Sequence, residues 1–550
     1  MRQAILEFLS SDFTKIKNSN QMSELKRRLA KKYGDAMLLH SDLLPEIKKL
    51  LQNKNLTPKE KNNLEAAVLL LKKRAIRTLS GIAPVAVLTK PYPCPGNCAY
   101  CPNEKDVPAS YLSNEPAVMR AIRCQYDPYR QIVLRLKALE NNGHEPNKIE
   151  VIVIGGTWSY FPEKYKFWYI LNCFKAANDY PHLKLPEDPN EDSRLKLADA
   201  LIKKIKSPFS QNIKLTDLKK QLKLEQQKNT KAKYKIIGLT LETRPDYIND
   251  SELLEMRELG ATRVEIGVQA VDDQILKLNK RGSGIQEIAA ATKLLKDYGF
   301  KVTYHFMPAL PGSTPQRDLE MFKELFSNPN YQPDQIKFYP TVVTKGSLLY
   351  RWYKAGKYQP YTDQELEDLI ASCKAIVPPY VRIIRLIRDI PGESIVAGNL
   401  ITNLRQVMQQ KGVKCNCIRC REIKDKPMDV KKAKLLIIQY PASDGMEYFL
   451  SYNSPDEKDL YGFCRLRITA NSPIAPAIIR ELHVYGQLVP MGKTKKVQHS
   501  GLGKKLMKEA EKIAQKNKAK ELAIISGVGV RGYYQKLGYK LKNTYMIKSL

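Results

Sequence analysis

The chain has 550 residues, of which 43% are hydrophobic and 27% charged, and its formal net charge is +34 at pH 7. This length exceeds what one hydrophobic core supports and predicts about three domains. No apolar run is long enough to cross a membrane and no signal-peptide pattern opens the chain, which excludes a membrane-embedded protein. The positive charge favours a polyanionic partner, foremost nucleic acid, over a merely lysine-rich solvated surface.

Residues 1–80 are predicted to form a basic helical region. Helical periodicity covers Ala4–Ile16, Met22–Tyr33 and Leu43–Leu51, and a fourth helix begins at Pro58 behind Thr57. We expect its basic side chains to contact phosphates, although solvated helix faces also carry lysine. These side chains are Lys26, Arg27, Arg28, Lys31, Lys32, Lys48, Lys49, Lys72, Lys73, Arg74 and Arg77.

Between residues 81 and 390 strand and helix patterns alternate. Six strand–helix units in succession predict an α/β fold, a partial TIM-type barrel of parallel strands with its chemistry at their carboxyl ends. The predicted strands are Pro84–Leu88, Ile149–Ile154, Lys235–Leu241, Arg263–Val268, Val302–Met307 and Ile336–Tyr339. A lysine-rich excursion, Asp179–Lys233, is predicted to be a surface insertion with further nucleic-acid contacts.

Three cysteines follow the first predicted strand. Cys94, Cys98 and Cys101 have the spacing C-x3-C-x2-C, which suits three ligands of a 4Fe–4S cluster with one iron left open. In radical S-adenosylmethionine (SAM) enzymes, SAM binds that iron, and one electron from the cluster cleaves SAM to give a 5′-deoxyadenosyl radical. A zinc knuckle or three unrelated thiols are the alternatives, but zinc needs a fourth ligand nearby and Cys124 lies in a helical segment.

Small or polar residues end the other predicted strands. The second strand ends at Gly155 and Gly156, the third at Glu242 and the fourth at Gln269. Glycine lets the backbone approach a ligand closely. We therefore expect Gly155 and Gly156 to bind the cofactor, and Glu242 and Gln269 to act at the radical site.

A second cysteine group lies in a linker, residues 391–430. Its members Cys415, Cys417 and Cys420 have the spacing C-x-C-x2-C, which predicts a zinc site that lacks one local ligand. His305 or His483 is a candidate for that fourth position. A second iron–sulfur cluster and free thiols are the alternatives. The ten cysteines, mostly at metal-like spacings, favour a reducing cytoplasm over a disulfide framework.

Residues 431–550 are predicted to form a separate α/β domain. Tyr448–Tyr452 and Tyr461–Ile468 form a predicted antiparallel pair, followed by strands Ala477–Tyr485 and Leu522–Ser526. Between the last two comes Gln498–Gly503, directly before a helix. This Q-x-x-G-x-G pattern resembles the pyrophosphate loop of the GNAT acyltransferases, and its backbone N–H groups would face an anion at the helix start. It predicts acetyl-CoA binding.

A radical SAM barrel, a cysteine linker and a GNAT domain in one chain resemble the catalytic subunit of Elongator over essentially the whole length. Its most specific segments are MRAIRCQYDPY (Met119–Tyr129), GGTW, LTLETRPD, RVEIGVQ, RELHVYG (Arg480–Gly486) and SGVGVRGYYQKLGY (Ser526–Tyr539). The resemblance implies a transfer RNA (tRNA) uridine(34) 5-carboxymethyltransferase. In the mechanism it implies, the radical takes hydrogen from the acetyl methyl of acetyl-CoA, the carbon radical adds to uracil, and thioester hydrolysis leaves the carboxymethyl group.

The resemblance also implies residue roles. Cys94, Cys98 and Cys101 match the cluster ligands, and Tyr534 matches a tyrosine near the thioester sulfur. The remaining acetyl-CoA contacts implied in this way are Lys148, the strand segment Glu481, Leu482, His483 and Val484, and the loop residues Leu502, Gly503 and Lys504.

The implied partner is the anticodon stem-loop of tRNA. The three-residue spacing between the first two cluster cysteines is shorter than in eukaryotic members, which indicates a prokaryotic-type enzyme that stands alone or forms a homo-oligomer and needs no other Elongator subunits. The first alternative function is a protein lysine N-acetyltransferase with Glu481 or His483 as the general base, and the second is a tRNA-binding scaffold with decayed sites. Neither alternative function gives a role to both the intact cysteine motif and the glycine loop.

Overall fold

The computed structural model describes residues 2–34, 38, 40–53, 55–71, 81–185, 209, 212–401, 403–424, 426–486 and 501–550. Three predicted features lie wholly or partly outside this range: Lys72, Lys73, Arg74 and Arg77, the middle of the lysine-rich insertion, and Gln498 to Ser500 of the glycine loop. Among the described helices, none has the length and apolar character needed to span a bilayer.

Four helices form the amino-terminal region: Arg2–Leu9, Ser19–Lys32, His40–Leu51 and Pro58–Leu71. They enclose their own apolar cluster, which includes Phe8 and Phe13. Thr57 and Glu60 form the reciprocal cap at the start of the fourth helix: the Thr57 N–H donates to the Glu60 carboxylate (2.8 Å), and the Glu60 N–H donates to the Thr57 hydroxyl (3.3 Å). The helical prediction is confirmed for the described residues.

The middle of the chain folds around a parallel sheet. Its strands, together with two short ones that pair beside it, are β1 (Ala83–Leu88), β2 (Lys148–Ile154), β3 (Lys235–Thr243), β4 (Arg263–Gln269), β5 (Lys301–Phe306), β6 (Gln335–Phe338), β7 (Val343–Thr344), β8 (Arg382–Arg385) and β9 (Ile395–Ala397). The order is β1-β2-β3-β4-β5-β6-β8, with every pair parallel, while β7 and β9 pair antiparallel. The predicted partial barrel is confirmed, and β8 is a seventh strand that we did not predict, since two of its four residues are arginine.

Helices connect these strands and cover one face of the sheet, while polar side chains such as Arg263, Glu265 and Lys337 lie on the other face, which lines a cavity. The helices of this region are Pro116–Arg123, Pro128–Asn141, Glu163–Asp179, Leu215–Asn229, Asp250–Leu259, Asp273–Leu278, Ile285–Asp297, Pro315–Ser327, Leu348–Lys354, Asp363–Ile376, Leu404–Gln410 and Ile418–Arg421. Val85 of β1, Val151 of β2 and Ile266 of β4 are fully buried in one core.

The carboxyl-terminal residues form a second sheet. Its strands are β10 (Lys434–Ala442), β11 (Gly445–Asn453), β12 (Leu460–Ile468), β13 (Ala477–Val484), β14 (Glu521–Ile524), β15 (Lys540–Lys542) and β16 (Tyr545–Ser549), with helices Leu502–Lys516 and Arg531–Gln535. The order is β10-β11-β12-β13-β14-β16-β15. β13 and β14 are parallel and pair only over Ala477–Ile479 and Leu522–Ile524. β13 therefore runs on to Val484 without β14 beside it, which leaves a gap between the two strands.

The second sheet packs on the amino ends of the parallel strands. Arg480 of β13 donates to both carboxylate oxygens of Asp334, just before β6 (2.5 and 2.7 Å), and to the Phe300 carbonyl (2.7 Å). The Tyr545 hydroxyl of β16 donates to the Tyr298 carbonyl (2.8 Å). The two sheets are thus joined by buried charges rather than by a flexible linker.

Candidate active site and acyl-binding site

A large cavity of about 1790 Å³ opens at the carboxyl edge of the parallel sheet. Seven residues predicted from strand ends line this single cavity: Cys94, Cys98, Cys101, Gly155, Gly156, Glu242 and Gln269. They come together because the carboxyl ends of parallel strands share one edge.

The three cysteines lie on the loop that follows β1. The Cys94 sulfur lies 3.8 Å from the Thr157 hydroxyl oxygen, and Arg281 Nη1 lies 3.7 Å from the Cys98 sulfur. The hydrogen bond between the Cys98 and Cys101 thiols lowers the pKa of Cys98 and, together with burial, raises the pKa of Cys101, while the charge of Arg281 acts to lower both. Thiolates are the ligand form of cysteine, so this environment suits iron ligation.

A second arginine gives independent evidence that the loop holds an anionic group. Arg244 forms an ion pair with Asp246 (2.9 Å) and donates to the Arg281 carbonyl (2.8 Å). Its remaining nitrogen, Nη1, is buried without a hydrogen-bond partner among the described residues, and a Cβ at Gly96 of the cysteine loop would overlap it. A bound sulfide-rich, negatively charged group beside the loop would satisfy this donor, so the residues present fit an iron–sulfur cluster.

The glycine and glutamine predicted at the strand ends have unusual backbones. Gly155 has φ +114°, and a Cβ there would overlap the Thr89 hydroxyl, whereas a Cβ at Gly156 would meet nothing within 4 Å. Gln269 has φ +70°, and its Oε1 atom is buried without a partner among the described residues. Such strain and unsatisfied acceptors are typical of ligand-binding positions.

Deeper in the cavity lies a buried charged cluster that contains Glu242. Glu265 accepts from His305 Nε2 (2.8 Å) and pairs with Lys337, which also lies 3.3 Å from Glu242. Burial acts to raise the pKa of the Glu265 carboxyl, but the charge of Lys337 and the hydrogen bond from His305 outweigh it and keep the pKa well below its usual range. The two carboxylates and His305 lie close enough to hold a metal ion, but the Lys337 ammonium already forms an ion pair with each carboxylate.

The gap beside β13 gathers the predicted acyl-binding residues. Gly501 has φ +84° and precedes the helix that starts at Leu502. A Cβ at Gly503 would lie 2.9 Å from the Tyr533 hydroxyl and 3.7 Å from the Val484 side chain. Tyr533 and Tyr534 pack edge to face, with ring centroids 5.2 Å apart. Burial raises the pKa of Tyr534, so its hydroxyl remains a proton donor at neutral pH.

Sequence comparisons identify the family. Residues 92–325 match the radical SAM superfamily, and residues 333–412 match the radical SAM C-terminal domain. The chain is 41% identical over 495 residues to the tRNA uridine(34) acetyltransferase of Dehalococcoides mccartyi, which spans 87% of this chain and 100% of that protein. It is 38% identical over 558 residues to Elongator complex protein 3 of Schizosaccharomyces pombe, spanning 96% and 94%. The chain belongs to the family of tRNA uridine(34) acetyltransferases and Elongator complex protein 3.

A solved structure of this family shares the fold. The archaeal Methanocaldococcus infernus Elp3 with an N-terminal deletion aligns with a TM-score of 0.69 and 36% identity, covering 86% of this chain and all of that one. Membership of the radical SAM superfamily implies a 4Fe–4S cluster and SAM for the cavity with the three cysteines.

The second cysteine group is also assembled in this family member. The sulfurs of Cys415, Cys417 and Cys420 all lie within 4.8 Å of one another. Sulfurs bound to tetrahedral zinc at about 2.3 Å stand about 3.8 Å apart, so the spacing suits zinc. Neither predicted fourth ligand belongs to the group among the described residues: His305 lies against Glu265, and the His483 ring packs on Tyr485 at 4.4 Å.

Two predicted acyl contacts of the family have surroundings that the sequence did not indicate. Glu481 forms ion pairs with Arg465 (3.0 Å) and Lys301 (3.6 Å). Burial acts to raise its pKa, but the charges of Lys301 and Arg465 lower it to about 2. Lys148 starts β2, opposite Lys235 of β3, at the amino edge of the parallel sheet and thus far along the strands from the cysteines.

Three residues at these sites were missed by sequence reasoning: Arg244, Arg281 and Tyr533. Arg244 stands inside the LTLETRPD segment, so that segment already contained a signal for it. Arg281 lies in a loop after a short helix, and no spacing relates it to the cysteines that it faces. Only the fold brings it there.

Proposed function

We propose that the chain is a tRNA uridine(34) 5-carboxymethyltransferase that uses SAM and acetyl-CoA. The main support is that one family member contains two features together. A cavity with three cysteines lies at one edge of its parallel sheet, and a second sheet, packed on the other edge, contains the gap proposed to bind the acyl group. The division proposed is residues 1–80 for tRNA binding, 81–390 for the radical SAM domain, 391–430 for the zinc linker and 431–550 for the GNAT domain.

In this mechanism the cavity residues hold and orient the reactants. A 4Fe–4S cluster with SAM bound there would supply the radical chemistry. Cys94, Cys98 and Cys101 are the proposed ligands, and Arg281 stabilises the Cys98 thiolate by its positive charge. Further contacts to SAM or the radical site are assigned to Gly155, Gly156, Glu242 and Gln269.

At the second sheet, the chain's role is to hold acetyl-CoA. Leu502, Gly503 and Lys504 begin a helix whose N–H groups and positive dipole end suit a pyrophosphate. We expect the thioester to lie along the strand residues Glu481, Leu482, His483 and Val484. Tyr534 would direct its hydroxyl proton toward the thioester sulfur. Lys148 is proposed to contact acetyl-CoA from the amino edge of the barrel.

The protein lysine N-acetyltransferase is disfavoured by a specific observation. Such an enzyme needs a base that accepts a proton from the incoming amine near neutral pH. Glu481, with a pKa of about 2 and two cationic partners, is a poor base. The alternative also leaves the three-cysteine cavity without a role.

We further propose zinc at Cys415, Cys417 and Cys420, supported by their mutual spacing. Elemental analysis of the purified protein should find about one zinc per chain, and Cys417→Ala should lose it. A Cys417→Ala variant that retains its zinc would refute the assignment.

We propose the cytoplasm as the compartment, since none of the ten cysteines forms a disulfide. We propose tRNA as the partner and a homo-oligomer as the assembly, without a need for other Elongator subunits.

The function is tested anaerobically. Reconstituted protein is mixed with dithionite, SAM, acetyl-CoA and bulk tRNA, and the digested nucleosides are analysed by mass spectrometry. We expect carboxymethyluridine with the native protein and with Cys124→Ser, whose thiol lies outside both groups, but none with Cys98→Ser. Acetyl transfer to protein that survives Cys98→Ser, with no modified uridine, would establish the acetyltransferase instead.

A further inference from the structure

Three tyrosines on three successive loops meet beside the cavity. Tyr92 lies on the cysteine loop after β1, Tyr160 on the loop after β2, and Tyr247 on the loop after β3. The ring centroids of Tyr92 and Tyr160 are 6.0 Å apart, and those of Tyr160 and Tyr247 are 5.9 Å apart. Of the three, only Tyr92 lines the cavity. The group therefore stands at the cavity's rim.

Buried rings support this group from behind. Tyr92 stacks on Phe161 (4.7 Å), and Phe161 stacks on Tyr165 (4.9 Å). Phe161 and Tyr165 are only 4% and 2% exposed, whereas Tyr160 is 41% exposed. The Thr243 hydroxyl donates to the Ser159 hydroxyl (2.8 Å) and ties the second loop to the end of β3. Tyr160 therefore keeps part of its ring in solvent while contacts with Tyr92 and Tyr247 fix its position.

We propose that Tyr160, supported by Tyr92 and Tyr247, is a stacking platform for a nucleobase of a single-stranded RNA loop, next to the base that enters the cavity. This rests on the function proposed above and names a recognition element for it. Bases of single-stranded RNA offer π-faces that stack on aromatic side chains without regard to sequence. The net charge of +34 favours a polyanion over an apolar protein surface as the occupant. The adenine of SAM belongs inside the cavity with the cysteines, and Tyr160 does not line it.

The test uses the full-length protein and a fluorescent anticodon stem-loop RNA. Tyr160→Leu removes the ring and should weaken binding roughly 5- to 150-fold, the range measured for loss of one base–aromatic stack. Tyr160→Phe keeps the ring and should bind within twofold of the native protein. Because stacking neutralises no phosphate, the slope of log Kd against log salt concentration should be the same for all three proteins.

An RNA series locates the stacked base. Stem-loops that lack one base at a loop position other than 34 are bound to the native protein and to Tyr160→Leu. At one position the missing base should cost affinity in the native protein and nothing further in Tyr160→Leu, because both changes delete the same contact. Equilibrium dialysis of SAM should give equal affinities for both proteins.

Four results would overturn the proposal. The first two are RNA binding by Tyr160→Leu within twofold of the native protein, and a salt slope for Tyr160→Leu that is smaller by about 0.7, as for one lost phosphate contact. The other two are a loss of SAM affinity instead of RNA affinity in that variant, and a native protein whose RNA affinity is unchanged by every single missing loop base outside position 34. The last result does not depend on the variant's folding. Failure of the native protein to bind any tRNA would instead reject the proposed function.

Discussion

Arg480 should be the strongest electrostatic link between the two sheets, and Arg480→Met tests this. Asp334 and Glu447 are its partners, at 2.5 to 2.9 Å, and all three side chains are at most 1% exposed. After the substitution Asp334 keeps Arg465 at 3.4 Å, and Glu447 keeps Arg467 at 3.4 Å and Lys296 at 3.6 Å, which are longer contacts. Breaking a buried pair strands its partner's charge and costs about 3–5 kcal/mol, so we expect a loss of that size in the free energy of unfolding.

The assay is urea unfolding at 25 °C, followed by fluorescence. Lys432→Met is the matched control, because Lys432 lies 3.9 Å from Asp429 at an exposed position and should cost less than about 1 kcal/mol. Asp334→Asn removes the stranded charge, so the double variant should lose about 0.5–3 kcal/mol less than the sum of the two single losses. A loss below 1 kcal/mol for Arg480→Met, or strictly additive losses, would refute the reasoning.

Three further predictions concern the two sites. Gly155→Ala should cost about 1–3 kcal/mol of stability because of its positive φ and the overlap at its Cβ, while Gly156→Ala, whose Cβ would meet no protein atom within 4 Å, should leave stability unchanged in thermal melts; equal losses of stability would contradict this. Lys337→Met leaves the buried Glu265 carboxylate without its lysine partner and should lower the free energy of unfolding by about 3–5 kcal/mol. Adding Glu265→Gln should restore part of this loss in urea unfolding. No restoration would show that the two residues are not coupled. The folded pKa of Glu481, about 2, lies below its ordinary value of 4.5. The carboxylate therefore contributes about 3 kcal/mol of stability above pH 4.5, and this contribution is lost as the pH falls toward 2. The difference in stability between the native protein and Glu481→Gln should shrink from pH 5 to 3, and a constant difference would refute the shift.

The radical-site residues were predictable because parallel strands have a simple rule. Each apolar run ends where a small or polar residue begins, and the fold places all such ends at one edge. Gly155, Glu242 and Gln269 were found in this way, and the structure brings them to the cysteine cavity. β8 escaped because its two arginines interrupt the apolar pattern, although it completes the sheet beside β6.

The electrostatic surroundings were not predictable from local pattern. The sequence offered Glu481 as an acetyl-CoA contact or a general base, but its partners Arg465 and Lys301 come from a neighbouring strand and from the other sheet. Arg281 approaches Cys98 across 183 positions of sequence. Spacing rules describe residues that are close in the chain, whereas pKa values depend on residues that are close in space.

The two proposed sites lie at opposite ends of the parallel strands, and the cysteine linker connects them. Cys420 and Glu422 line the same cavity as the cluster cysteines. Glu422 pairs with Arg382 (3.0 Å), and Arg382 donates to the hydroxyl of Tyr485, at the end of β13 (3.0 Å). The linker is therefore a shared wall between the radical cavity and the strand proposed to hold the thioester. Zinc bound at its three cysteines, as proposed above, would hold this wall in place.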